Sequence, residues 1–114
     1  MRAFNLTITL FLAIAILVSC GKSGSPYTPD CTGTTPKFST NVSSIIASDC
    51  ASSGCHDKGS KKGPGELITY AQISASAASI RSEVISGAMP RNSTLSTERR
   101  NAIVCWIDAG AKND

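Results

Sequence analysis

The chain has 114 residues, 41% hydrophobic and 5% aromatic, with five Cys, two Met, one His and a formal charge of +3. That length holds one small domain and no more. The charge is too weak to call for a nucleic-acid partner, and no basic run exceeds Lys61-Lys62 or Arg99-Arg100.

Residues 1–20 read MRAFNLTITLFLAIAILVSC. Arg2 supplies a positive start, and Leu6 to Val18 form an apolar run of signal-peptide length. A membrane span would need roughly 20 apolar residues, so the run is short for one. Its ending, Leu17-Val18-Ser19-Cys20, resembles a bacterial lipobox. Residues 1–19 are therefore expected to be a lipoprotein signal, with Cys20 the lipidated mature N-terminus. The alternative is an uncleaved anchor with an incidental Cys. The lipoprotein reading predicts a bacterial cell-envelope protein held to the membrane by its lipid. Lys22 stands close behind Cys20, and no aspartate associated with inner-membrane retention follows it. That favours an outer-membrane home, facing periplasm or surface.

Without residues 1–19 the chain keeps one His, one Met and the aromatics Tyr27, Phe38, Tyr70 and Trp106. A domain with so few large apolar groups is marginal without a staple. Export permits disulfides.

Residues 20–37 are rich in Gly, Ser, Thr and Pro and read as a lipid-anchored flexible tether. The domain proper is expected over 38–114. Its first helix is predicted near Thr40 to Ser48, with Val42, Ile45 and Ile46 on one face. A long glycine-punctuated loop follows, from Asp49 to Glu66.

That loop opens with Cys50-Ala51-Ser52-Ser53-Gly54-Cys55-His56. Three readings compete. In covalent haem attachment, two thiols add to the haem vinyl groups and the neighbouring imidazole reaches the iron; the usual spacing is C-x-x-C-H. Here the interval is two residues longer, and Ser52, Ser53 and Gly54 are small enough to bulge. A zinc site would use Cys50, Cys55, His56 and Cys105, but adjacent ligands suit a tetrahedral ion poorly. The third reading is disulfides alone among Cys31, Cys50, Cys55 and Cys105, with His56 an ordinary surface residue.

Further along the loop, the turn Gly63-Pro64-Gly65 offers a backbone carbonyl that could orient the His56 ring, with Pro64 its centre. Lys58, Lys61 and Lys62 read as a solvated loop, with docking of an acidic redox partner as the alternative.

The second helical region is predicted from Tyr70 to Ser86, capped by Thr69, broken near Ser79 and ended by Gly87. The next loop carries Met89, the one Met of the mature chain and a candidate second axial ligand. Met/His ligation is an electron-transfer pattern. The alternative is a gap-filling core Met. The last helix is predicted from Ser96, its cap, with Glu98 in the first turn, Ile103 and Trp106 on one face, and Gly110 closing it. No strand pattern is visible, so the fold class is all-α, with three or four helices and long loops.

The order Cys50…Cys55-His56, Gly63-Pro64, Met89-Pro90, then Cys105-Trp106-Ile107-Asp108-Ala109-Gly110-Ala111, resembles small c-type cytochromes. The likeness covers Phe38 to Asp114 and is nearest to lipoprotein variants of Bacteroidetes-like bacteria and to planctomycete-type cytochrome domains. It implies a cytochrome c-like fold wrapped around one haem c per chain. It implies covalent attachment at Cys50 and Cys55, with His56 and Met89 on the iron. The implied role is an electron carrier, not an enzyme, working with a redox partner protein. Once Cys20 is lipidated and Cys50 and Cys55 hold haem, Cys31 and Cys105 remain as an even pair, expected to form a disulfide between tether and last helix. Two other functions stay open: a haem-free, disulfide-stapled surface lipoprotein, and a haem sensor whose Met89 dissociates to admit a gas.

Overall fold

The computed structural model describes residues 27–114. The expected signal segment and Cys20 lie outside them. Within the described residues the fold is all-α. A π-helical turn, Phe38–Val42, leads into α1 (Ser43–Asp49), and α2 (Tyr70–Ala75), α3 (Ala77–Ser86) and α4 (Thr97–Asp108) follow. None of these helices is long and apolar enough to cross a membrane.

The first helix begins at Phe38, ahead of the expected Thr40, because a distant residue satisfies its free amides. Phe38 N–H donates to Asp114 Oδ1 and Ser39 N–H to Asp114 O, both at 2.9 Å. Orphan amides at a helix start need such acceptors. Val42, Ile45 and Ile46 are buried as their spacing requires.

Thr69 caps α2 through a reciprocal capping box with Gln72. The helical region breaks at Ser76 and not near Ser79, yet Ile73 and Ile80 are both buried on either side of the break. Gly87 ends α3 in the left-handed conformation, φ 73°, where glycine avoids the Cβ clash. Ser96 caps α4, its Oγ accepting from Arg99 N–H at 3.3 Å. Thr69→Ala should cost about 1 kcal/mol, read as a lower denaturant midpoint with an unchanged slope.

α3 packs on α4, and α4 on the Phe38–Val42 turn. The core holds Val42, Ile46, Leu67, Ile73, Ile103 and Trp106, among others. Trp106 is the largest fully buried side chain and packs among Phe38 (ring centroids 5.5 Å apart) and Tyr70 (6.5 Å). Both polar aromatics are satisfied by the chain that folds back after α4. Trp106 Nε1 donates to Lys112 O at 2.8 Å, and Tyr70 Oη to Ala111 O at 2.8 Å. Two surface ion pairs, Arg81–Asp108 and Arg99–Asp49, bridge α4 to α3 and α1; exposed pairs of this kind contribute little.

The stretch expected to be tether holds an anchored segment. Cys31 and Cys105 form a disulfide with Cα atoms 5.3 Å apart. Tyr27 Oη donates to Asn101 Oδ1 at 2.6 Å, and Asp30 N–H donates to the same oxygen at 3.2 Å. Tyr27 is half-buried against the core.

Candidate functional site

The Cys50–His56 loop leaves α1 and closes on itself. His56 N–H donates to Cys50 O at 3.0 Å, so both ends of the loop meet. Inside it, Cys55 N–H donates to Ser52 O at 3.0 Å, and Gly54 adopts φ 78°. That turn absorbs the residues by which the loop exceeds the C-x-x-C-H spacing. Asp57 Oδ2 accepts from Gly54 N–H at 3.4 Å. Ser60 Oγ donates to Cys55 O at 2.6 Å, and Lys62 Nζ donates to Gly54 O. The glycine-rich stretch after His56 is thus folded over the loop and bonded to it.

Cys50 and Cys55 are both free thiols, Cys50 half-buried and Cys55 exposed. Burial, with Asp49 and Cys55 adding to it, pushes the Cys50 thiol up to about 11. Cys50 is therefore protonated at neutral pH. In the haem-free chain, neutral-pH alkylation should modify Cys55 first and Cys50 only at strongly alkaline pH. Peptide mass mapping over a pH series reads this order.

The His56 ring is held from behind. Its Nδ1 lies 2.9 Å from the carbonyl oxygen of Gly65. A carbonyl can only accept, so Nδ1 carries a proton and donates it, which leaves Nε2 as the nitrogen free of this contact. The acceptor belongs to Gly65 and not to Pro64, the residue on which the sequence centred this role. Gly65 has φ 87°, and its N–H donates to Lys62 O at 2.9 Å. This left-handed turn is what brings its carbonyl to the ring. Gly63 stands beside the ring too, since a Cβ there would be 3.6 Å from His56 Cε1. Leu67 N–H then donates to His56 O at 2.9 Å, tying the far end of the turn back to His56.

Glu66 was not singled out by sequence. Its Oε1 accepts from Gly59 N–H at 2.6 Å and its Oε2 from Gln72 Nε2 at 3.0 Å. The Gly59 bond first, then Gln72, holds its carboxyl below the usual range. Gln72 also accepts the Ile68 and Thr69 amides. One carboxylate therefore connects the loop beyond His56 to the start of α2. The faint signal was its position three residues before the Thr69 cap.

Met89 stands on the loop after α3, half-buried, its N–H donating to Glu83 O at 3.3 Å. Among the described residues no hydrogen bond joins it to the Cys50–His56 loop. The structure brings Cys50, Cys55 and His56 together and leaves Met89 on a separate element.

The zinc alternative loses its fourth donor, because Cys105 is consumed by Cys31. Among the described residues no group of three or more His, Cys, Asp or Glu side chains converges as a metal site. A covalent haem makes a different demand: two free thiols and an imidazole with one fixed and one open nitrogen. Cys50, Cys55 and His56 meet it. A cavity of about 380 Å³ lies beside α1, lined by Phe38, Ala47, Leu67, Tyr70 and Ile73, with Asp57 and Lys58 at its edge. Neither His56 nor Met89 lines it.

No protein-family model, curated protein or solved structure matches the chain.

Proposed function

We propose that this chain is a lipid-anchored monohaem c-type cytochrome that carries electrons in the bacterial envelope. One observation carries the reading: Nδ1 of His56 is fixed on the Gly65 carbonyl while Cys50 and Cys55, alone among the described cysteines, stay free. Cys50 and Cys55 would hold the haem through thioethers. His56 and Met89 would hold the iron. The haem supplies a reversible Fe(III)/Fe(II) couple. His56 contributes a fixed ring whose Nδ1–H stays on Gly65, which raises the basicity of the ligating nitrogen. With His56 and Met89 both held as ligands, the role would be electron transfer to and from a redox partner protein and not catalysis.

The test is expression with a competent cytochrome c maturation system. A haem stain that survives denaturation, and an intact mass raised by one haem, are the expected results. Met89→Ala should abolish the thioether-to-iron charge-transfer band. Unmodified Cys50 and Cys55 in protein from such a system would reject the reading in favour of a haem-free lipoprotein. Carbon monoxide binding to the reduced wild type at neutral pH would favour a gas sensor.

A further inference from the structure

The segment stapled by Cys31 lies against α4. Tyr27 is fixed by its bond to Asn101, and Asn101 also accepts the Asp30 amide just before Cys31. The Tyr27 ring in turn covers Arg100, whose guanidinium carbon lies 5.0 Å from the ring centroid. The Arg100 guanidinium also lies near Gly87, the residue that caps α3. A Cβ built on Gly87 would stand 3.2 Å from Arg100 Nη2, tighter than ordinary contact. Arg100 is half-buried there.

Each contact has a physical reason. A guanidinium over an aromatic face is attracted by the ring quadrupole, more so when partly desolvated. The C-terminal end of a helix presents unpaired carbonyls and a partial negative charge, which a cation stabilises. Gly87 is the point where α3 stops and the Met89 loop begins. Gly87 N–H is bonded to Val84 O and Met89 N–H to Glu83 O, both at 3.3 Å and both on the last turn of α3. Whatever fixes that turn fixes the backbone of Met89.

We propose that Arg100, clamped by Tyr27, is a positioning residue for Met89: it holds the end of α3 so that the Met89 loop stays closed over the iron. The inference rests on the reading of Met89 as the distal ligand. Arg100 itself touches neither haem nor iron. The anchored N-terminal segment thereby acts on the redox site, and is more than a leash.

Imidazole is the probe, because it replaces a Met ligand on ferric haem at a rate set by how often the Met loop opens. In matured holoprotein, Arg100→Gln and Tyr27→Leu should each speed imidazole binding about tenfold, the scale of one partly buried cation contact. The double variant should be no faster than the singles, since either change breaks the same clamp. Arg100→Lys keeps the charge and should recover part of the loss. Ferric spectra before imidazole should keep the charge-transfer band, which shows that each variant still binds Met89. Wild-type rates in both single variants, or fully multiplicative rates in the double, overturn the proposal. Met89→Ala separates the two readings: if it leaves the band and the imidazole rate unchanged, the ligand assignment fails and the clamp falls with it. If it abolishes the band while Arg100→Gln binds at the wild-type rate, only the clamp fails.

Discussion

Cys31→Ala/Cys105→Ala should unfold far more easily than the wild type, by about 3–4 kcal/mol. The disulfide closes a span of 74 residues, so its removal releases nearly the whole described chain in the unfolded state. On a domain of this size that loss corresponds to a fall in Tm on the order of 15 °C. The native side argues in the same direction. Cys105 is buried in α4 beneath the stapled segment, so Ala there also leaves a small gap under that segment. The core is thin: its one large buried aromatic is Trp106, and the rest is Val, Ile and Leu. Few packing contacts stand in reserve to offset the lost constraint. Thermal denaturation of wild type and double variant, matured in the same way, measures the difference. A change below about 1 kcal/mol would show that the segment is held by Tyr27 and Asn101 without help from the covalent bond.

What could be read from sequence was local. The Thr69 and Ser96 caps and the Gly87 stop depend on neighbours within a turn, and all three are where their spacing put them. The break in the second helical region was misplaced because residues 75–79, Ala-Ser-Ala-Ala-Ser, carry no large side chain to mark a phase. The start of the first helix depends on Asp114, which no local pattern can indicate. The same division holds at the site. Cys50, Cys55 and His56 were legible because they are contiguous in sequence. The Gly65 carbonyl was approached to within one residue, and the error came from a backbone turn set by a positive φ at Gly65 itself. Counting alone left the disulfide partners open; the Cys31–Cys105 pair was legible only through the cytochrome resemblance, which set Cys50 and Cys55 aside. The contacts of Tyr27 with Asn101 and Arg100 were hidden by a flanking composition of Gly, Ser, Thr and Pro, which reads as tether until α4 is placed beside it.

If the chain carries haem c as proposed, Cys50→Ala/Cys55→Ala should lose all denaturation-resistant haem, while each single variant keeps a reduced share. The reason lies in what each group can hold once the fold is gone. In the proposed holoprotein His56 and Met89 would bind only while the Gly65 turn and the end of α3 keep them in place, so unfolding would release both. A thioether survives unfolding. Two such bonds are available only if both sulfurs reach the haem edge from a loop of this length. The His56 amide on the Cys50 carbonyl brings the loop's ends together, and the Ser52–Cys55 turn takes up the extra residues. Gly54, at φ 78°, is the residue on which that turn depends. Gly54→Val strains a left-handed position and should therefore lower covalent loading with both thiols intact. Haem stain on denaturing gels, with intact mass on the same samples, reads all four proteins together. Covalent haem in the double Cys variant would show that some other residue makes the attachment. Full loading of Gly54→Val would show that the turn is not what accommodates the longer spacing.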